Sequence, residues 1–257
     1  MRKYFDVFRF NLKTELNFKV NYFFTLFAYL VHVFILRELW DYILRGKEIN
    51  GFGRVELVWY ITLGEFMMYC INKKNLEKIS ILIKSGNVAN LLTKPVSIIK
   101  YLFAEQCTSV ISIVINFIFA MILGSAMVGM VELNLIQVVL FFISIILSLL
   151  ILLLIQLFIG LLAFITEEND SFYLVIQKAM LIVVFTPVEF FPEVVQWILR
   201  FLPSTYAIYP IGKIFTNYDF KNSVFLIICQ IIALITMIIL VNILNRKGVK
   251  KVNVNGG

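Results

Sequence analysis

Long apolar runs without charged side chains dominate the pattern of hydrophobic and polar positions along this chain. The longest, Leu133 to Thr166, contains no Asp, Glu, Lys or Arg, and only Glu132 separates it from the apolar run that follows Gln106. A helix needs about 20 apolar residues to cross a hydrocarbon core about 30 Å thick. The two runs on either side of Glu132 therefore predict two membrane-spanning helices joined by a short turn.

The same pattern predicts six membrane spans in the whole chain. Continuous runs favour helices over a barrel, because a backbone in lipid must satisfy its polar groups within its own segment or in a closed barrel of short alternating strands. The second span is weak because it contains Glu56 and Glu65, and the fourth is long enough that it must tilt or protrude. The predicted spans are about 21–39, 56–71, 102–128, 135–165, 172–187 and 222–245.

The expected fold class is an all-α integral membrane protein with a single transmembrane domain, residues 1–257. The first two spans fall in 21–71 and the next three in 101–186. The remaining segments are an interfacial helix, a loop between spans two and three, a broken segment and the last span, at 1–20, 72–100, 187–215 and 222–245.

Composition supports a membrane protein. Of the 257 residues, 61% are hydrophobic and 15% are charged, and the mean hydropathy is +0.91. Soluble domains carry roughly 25% charged residues. The net charge of +7 could indicate a nucleic-acid partner, but basic loops on the cytoplasmic side explain it better, and no nucleic acid is expected. The three cysteines show no disulfide or zinc spacing, so no metal site is expected.

The distribution of Lys and Arg predicts the orientation. With six spans, the N-terminal segment, the loop 72–100 and the C-terminal tail lie on one side and hold fifteen Lys and Arg residues, against seven in or near the opposite loops. Cytoplasmic loops carry the excess of positive charge. Both termini are therefore expected in the cytoplasm, with the chain in the cytoplasmic (inner) membrane.

Residues 1–20 predict a helix that lies in the membrane surface. Phe5, Phe8, Leu12 and Leu16 recur at helical spacing, and basic residues occupy the adjoining arc. Lipid would be the partner of such an interfacial helix. The alternative is a frayed basic tail.

The loop between spans two and three predicts a short amphipathic helix. Leu76, Ile79 and Ile83 form one apolar stripe, and Gly86 is a plausible helix stop. Such a helix can rest on lipid or dock into a groove on a soluble partner. Periodicity alone does not choose between these two surfaces.

The stretch between spans five and six is too broken for a span and too apolar for a solvated loop. It holds four of the five prolines, Pro187, Pro192, Pro203 and Pro210, with apolar residues and Trp197 between them. Proline breaks helices. Half-helices that dip into the outer leaflet and return are expected, since irregular backbone is tolerated there only when it packs on protein or lines a cavity.

Two short motifs give the chain a family resemblance. The first is Ile83 to Pro95, in which Lys84-Ser85-Gly86 precedes the pair Leu91-Leu92 and then Lys94-Pro95. The second is Phe191-Pro192-Glu193 through Trp197 to Leu202-Pro203, with Pro210 beyond. In these motifs and in the order of its spans, the chain resembles the permease subunits of ABC-2 type ABC transporters, most closely the small bacterial six-span branch.

The resemblance implies roles for the three unusual segments. Residues 1–20 would be the elbow helix. A coupling helix that contacts a separate ATPase would use Leu76, Ile79, Ile83, Gly86, Leu91, Leu92 and Pro95. Extracellular re-entrant helices that gate the pathway would include Phe191, Pro192, Trp197, Pro203 and Pro210.

The resemblance also implies partners. Two permease subunits, identical or related, would pair with two ABC ATPase subunits and export a cargo. The sequence contains no G-x-x-x-x-G-K-[ST] phosphate loop. The chain is therefore expected to be a transport subunit and not an enzyme, without a cofactor of its own, and ATP-Mg would bind the partner. Drugs, peptides, lipids and polysaccharides are all cargoes of such exporters, and no residue here selects among them.

Few polar residues inside the spans stand out as candidates. Glu65 lies near the middle of span two and should face a dimer seam or an aqueous cavity, as a pathway contact or as a hydrogen-bonded packing residue. His32 is the only histidine and lies in span one. Gly124 and Gly160 are interpreted as close-packing positions.

The main alternative is a secondary transporter or channel that works without an ATPase. Such proteins commonly show paired intramembrane charges or inverted repeats, and the sequence shows neither clearly. A membrane-embedded enzyme is disfavoured, because one histidine and scattered acids do not form a catalytic cluster.

Overall fold

Helices make up almost all of the part of the chain that the computed structural model describes, residues 19–71, 73–85, 98–166 and 169–255. Single 3₁₀ turns lie at Leu162–Phe164, Val188–Phe190 and Thr205–Ala207. The α-helices in these ranges are α1 (Lys19–Leu44), α2 (Arg54–Tyr69), α3 (Lys73–Lys84), α4 (Ile98–Val128), α5 (Leu135–Leu161), α6 (Asp170–Phe185), α7 (Glu193–Phe201), α8 (Tyr209–Thr216) and α9 (Phe220–Asn255).

Four of the described helices are long and apolar enough to cross a membrane. They are Phe23–Leu44, Ile99–Val128, Leu135–Phe164 and Phe220–Gly248, and they coincide with the predicted first, third, fourth and sixth spans. The all-helical, multi-pass membrane character is thereby confirmed. The helices at the other two predicted spans, α2 and α6, have 16 residues each. At the helical rise they are about 24 Å long, shorter than a typical hydrocarbon core, so six complete spans stay a prediction.

Helix α2 is short because it is the central helix of the bundle. Its residues from Leu57 to Gly64 are buried, and α1, α6 and α8 pack around it. Two hydrogen bonds tie it to neighbouring helices: the Tyr60 hydroxyl donates to Val183 O (2.9 Å), and the Tyr29 hydroxyl donates to Thr62 O (2.6 Å). A helix enclosed by other helices need not match the thickness of the lipid.

Helices α5 and α9 form the most extensive helix pair in the described structure. A capping box begins α5. Asn134 Oδ1 accepts a hydrogen bond from the Gln137 backbone N–H (2.7 Å), and Gln137 Oε1 accepts one from the Asn134 backbone N–H (3.4 Å). Helix α9 has 36 residues and continues well past the predicted end at 245. No proline follows the apolar run, the basic residues after it are good helix formers, and Gly248 does not end the helix.

The bundle has two unlike ends. At the lysine-rich end, α1, α4 and α6 begin and α2, α5 and α9 finish, and α3 also lies there. At the opposite, proline-rich end lie the turns 45–53 and 129–134 and the segment 186–219 with α7 and α8. The predicted functional segments thus divide between the two ends.

Candidate functional site

Helix α3 occupies the position predicted for the coupling helix, at the lysine-rich end. Its apolar stripe faces the bundle: Leu76, Ile79 and Ile83 are 4%, 2% and 9% exposed. The covering surface is α5 and the 3₁₀ turn that follows it. Sequence periodicity left open whether this helix contacts lipid or a soluble partner. It did not indicate that the stripe itself packs on α5, since periodicity shows which residues share a face but not what covers them.

The outward face of α3 carries a residue that sequence reasoning missed. Ile81 is 64% exposed, and Glu77 on the same helix is also exposed. The spacing of Ile81 from Leu76 and Ile79 places it on the opposite side of the helix from the apolar stripe. This spacing is the signal that could have identified Ile81 from the sequence. The four other predicted coupling positions, Gly86, Leu91, Leu92 and Pro95, lie outside the described residues.

Helix α3 approaches α5 closely at Gly160. A Cβ atom added to Gly160 would lie 2.8 Å from Ile79 Cγ2 and 3.0 Å from both Ile79 Cβ and Ile79 Cδ1. The bare glycine is therefore what lets the two helices seat at this distance. Gly160 is a close-packing position, as expected, and its neighbour is the predicted coupling helix.

Two further contacts surround this seat. The Asn169 side-chain amide donates to Ile159 O (2.9 Å) and Gly160 O (3.1 Å), two carbonyls at the end of α5 toward which the Leu162 backbone N–H is also directed. In the 3₁₀ turn after α5, the Phe164 ring fills the space beside Gly248 of α9. We call Ile79, Gly160, Phe164, Asn169 and Gly248 the glycine junction, because α3, α5, α9 and the start of α6 meet there.

The five predicted gate residues are spread over the proline-rich segment. Phe191 and Pro203 are half-buried, and Pro192 is exposed and precedes α7. Trp197 is 63% exposed and shares an exposed apolar face of α7 with Val194, Ile198 and Phe201. Pro210 is buried in the first turn of α8, where proline is tolerated. The structure does not gather these residues into one cluster.

Two buried glutamines bind the backbone of this segment. The Gln137 side-chain amide donates to Ile214 O (3.0 Å) and Phe215 O (2.9 Å). The Gln230 amide donates to Ser148 Oγ (2.8 Å) and lies 3.2 Å from Tyr206 O. At the helical rise, Gln230 is about 15 Å from the start of α9. The 3₁₀ turn at Tyr206 therefore lies well inside the bundle.

An ionic cluster links the segment to the turn between α1 and α2. Glu189 Oε1 lies 2.7 Å from Lys213 Nζ and accepts a hydrogen bond from the Tyr209 hydroxyl (2.7 Å). Lys213 is 8% exposed, and its ammonium lies 4.9 Å from the centre of the Phe52 ring. Burial, and after it the negative charge of Glu189, raises the pKa of the Tyr209 hydroxyl, which therefore remains a donor. We call this the Glu189 cluster.

Glu65, the predicted pathway residue, is paired with the histidine of α1. Glu65 Oε2 lies 2.7 Å from His32 Nε2, and the two side chains are 14% and 35% exposed. The expectation that paired intramembrane ionisable groups are absent was therefore wrong. Both residues were candidates from the sequence, but their pairing was not predictable. It depends on how α1 and α2 align across the turn 45–53, which the sequence does not specify.

Among the described residues, no group of three or more His, Cys, Asp and Glu side chains could hold a metal ion. Several polar side chains of the described residues instead bind one another or the backbone. Their arrangement is that of a helical membrane protein with one amphipathic helix seated on its lysine-rich end and a broken, internally bonded segment at the other.

Comparison with known proteins agrees with this arrangement. No curated protein matches the chain. A family model described as "ABC-2 family transporter protein" matches residues 20–256, nearly the whole chain. The chain therefore belongs to the ABC-2 family of transporter proteins, as a membrane-embedded permease subunit.

Proposed function

We propose that this permease forms the translocation pathway of an ATP-driven ABC exporter and is driven by a separate ATPase subunit. The observation that carries the proposal is α3, an amphipathic helix whose apolar stripe is already buried on the bundle and whose other face presents Ile81. A helix packed in this way can transmit a displacement imposed by a soluble partner to the membrane helices. ATP-Mg would bind the partner, since no phosphate loop occurs in this sequence.

The lysine-rich end is proposed to face the cytoplasm, with both termini there and the chain in the inner membrane. The excess of Lys and Arg at this end supports the assignment. The basic extension of α9 beyond residue 245 lies on the same side. An impermeant maleimide should label Glu193→Cys in intact cells and Lys247→Cys only after permeabilisation. The opposite labelling pattern would reverse the orientation and remove α3 from the reach of a cytosolic ATPase.

The segment 187–215 is proposed to be the re-entrant gate on the extracellular side. Its support is the hydrogen bonding of its backbone: the Tyr206, Ile214 and Phe215 carbonyls are bonded by the buried amides of Gln137 and Gln230. Irregular backbone at membrane depth needs such partners, because no water is available to it. Two permease copies, identical or related, would place two such segments around one pathway, and their apolar exteriors would contact lipid.

Co-purification and ATP hydrolysis test the proposal together. The chain is expressed with a candidate phosphate-loop ABC ATPase from the same genome, purified through a tag on the permease, and assayed in nanodiscs. We expect a stable complex with vanadate-sensitive ATP hydrolysis. Ile81→Asp should abolish co-purification by placing a charge at the contact, while Ile235→Asn, at a lipid-exposed position of α9, should leave it intact. A wild-type chain that never binds the ATPase would contradict the proposal.

The His32–Glu65 pair is the one observation that favours the alternative, a secondary transporter. The two functions differ in their energy source. A secondary transporter would move its cargo when the chain is reconstituted alone with an ion gradient. The proposed exporter requires the ATPase and hydrolysable nucleotide.

A further inference from the structure

The lysine-rich end contains a steric connection between the predicted coupling helix and three membrane helices. Within the described residues, α3 makes its main contacts with α5 and the 3₁₀ turn after it. A displacement of α3 therefore reaches α5 before any other membrane helix. One close contact between the two helices is Ile79 against Gly160.

The seat at Gly160 has no room for a side chain. A Cβ atom there would approach Ile79 Cγ2 to 2.8 Å, a separation that real Cβ atoms essentially never show. The side chains around it are buried and have little free volume into which to move, because protein interiors are close-packed. A push on α3 is thus transferred to the backbone of α5 at Gly160.

The end of α5 around Gly160 contacts two other helices, α6 and α9. The Gly160 and Ile159 carbonyls are held by the amide of Asn169, which immediately precedes α6. Phe164 fills the space left by Gly248 of α9, so the end of α5 is also locked to α9. Each of these contacts is short and buried, and each leads into a different helix.

Helices α5, α6 and α9 all connect to the proline-rich segment 187–215. Gln137 of α5 and Gln230 of α9 bind the carbonyls of the proline-rich segment, and α6 runs directly into Pro187. We infer that Gly160 is the positioning residue of the transport cycle, which transmits displacement of α3 through the glycine junction to the segment 187–215. The inference rests on the proposed function, because an ATPase must supply the displacement.

The test uses the permease–ATPase complex in nanodiscs with Glu193→Cys, an exposed position of the proline-rich segment, as reporter. Its labelling rate by an impermeant maleimide is compared in the absence of nucleotide and after trapping with ATP-Mg and vanadate. The parent complex without Glu193→Cys measures the background from Cys70, Cys107 and Cys229. No cargo is needed for this assay.

Four variants are compared with the reporter alone. Gly160→Ala adds the clashing Cβ, Ile79→Ala removes its nearest neighbours, and the third variant combines both substitutions. The matched control is Gly124→Ala, since a Cβ at Gly124 would lie 3.5 Å from Trp59 and 3.8 Å from Val33, which is ordinary contact.

We expect Gly160→Ala to keep the ATPase bound and hydrolysing while the nucleotide-dependent change in labelling falls at least about fivefold, the lower range of allosteric coupling. The double variant should recover the response, because it leaves only Cβ atoms about 3.0 Å apart, a distance that a small shift relieves. Gly124→Ala should respond like the parent.

Three results would overturn the inference. These are an unchanged response in Gly160→Ala, loss of ATPase binding or hydrolysis together with the response, and failure of Ile79→Ala to restore it. A parent complex that does not assemble or hydrolyse ATP would contradict the proposed function itself. That failure is distinguishable, because it appears before any substitution at the junction.

Discussion

At the two ends of this permease, the contact that seats α3 and the contacts that hold the broken segment differ in chemistry, although Asn169 also donates hydrogen bonds beside the α3 seat. At the lysine-rich end, α3 meets α5 through the shapes of Ile79 and Gly160. At the proline-rich end, hydrogen bonds from buried glutamine amides and an ion pair hold the broken segment. A steric seat resists being pushed together but does not resist separation. Hydrogen bonds and ion pairs resist separation and break in discrete steps.

This difference suits the two roles that the ends would have. An end that receives a push from a cytosolic partner needs an incompressible contact. An end that stays closed until the push arrives needs bonds that hold and then give way. On this view, loss of a buried polar bond at the proline-rich end should lower the free energy of unfolding more than overpacking of the steric seat does.

The largest effect is expected from Lys213→Ala. The substitution leaves the Glu189 carboxylate without its cation in a mostly buried position, which typically costs about 3–5 kcal/mol in the free energy of unfolding. Denaturant unfolding of the purified chain in detergent micelles measures the loss. The matched control is Arg54→Ala, which removes the more exposed pair with Asp41 and should cost less than about 1 kcal/mol. Equal losses in the two variants would show that the Glu189 cluster does not hold this end.

A smaller effect is expected from Gln230→Leu. The substitution removes the donor to the Tyr206 carbonyl and to Ser148 Oγ, and it leaves that carbonyl only the longer bond from the Ser148 hydroxyl (3.5 Å), so the free energy of unfolding should fall by about 1–2 kcal/mol. Asn242→Leu is the control on the same helix, since its exposed amide bonds only to Ile238 O one turn away. The same unfolding assay should find the control near wild type. A stable Gln230→Leu variant would contradict the proposed role of the amide.

Gly160→Ala tests the steric end by stability alone. Overpacking against Ile79 should cost about 1 kcal/mol, partly offset by the better helix propensity of alanine. Gly124→Ala, where the added methyl group fits, should be neutral or stabilising by about 0.5 kcal/mol. If the two variants unfold alike, Ile79 accommodates the methyl group and the seat is not tight.

The smallest stability effect is expected from Glu65→Gln. The glutamine can still contact His32, and an interhelical hydrogen bond in a membrane protein contributes about 0.6 kcal/mol on average. ATP hydrolysis by the complex should be unchanged. Abolished ion-driven transport by the isolated chain would instead support the secondary-transporter alternative.

The sequence predicted the positions of the helices better than the contacts between them. The charge-free runs located α1, α4 and α5, because hydrophobic length is a local property of the chain. The same reasoning missed the His32–Glu65 and Glu189–Lys213 pairs. Each pair joins residues across a turn or a broken segment, so its formation depends on how two helices register, and one sequence does not specify this.

The stripe on α3 and the length of α9 show the same limit in other forms. The spacing of Leu76, Ile79 and Ile83 predicted a buried face, but its cover is α5. Gly160 was recognisable as a packing position, yet nothing local to it indicated that α3 is its neighbour. The predicted end of the last span marked where the apolar run stops, whereas the helix continues through basic residues that favour helix and past Gly248.

The central claim is that energy delivered at the lysine-rich end changes the proline-rich end. The most direct test follows maleimide labelling of Glu193→Cys in nanodiscs that contain the permease with or without its ATPase. We predict that ATP-Mg with vanadate changes the labelling rate only when the ATPase is present, and that Ile81→Asp removes the change. A labelling rate that ignores nucleotide in the assembled complex, or that responds equally without the ATPase, would contradict the account.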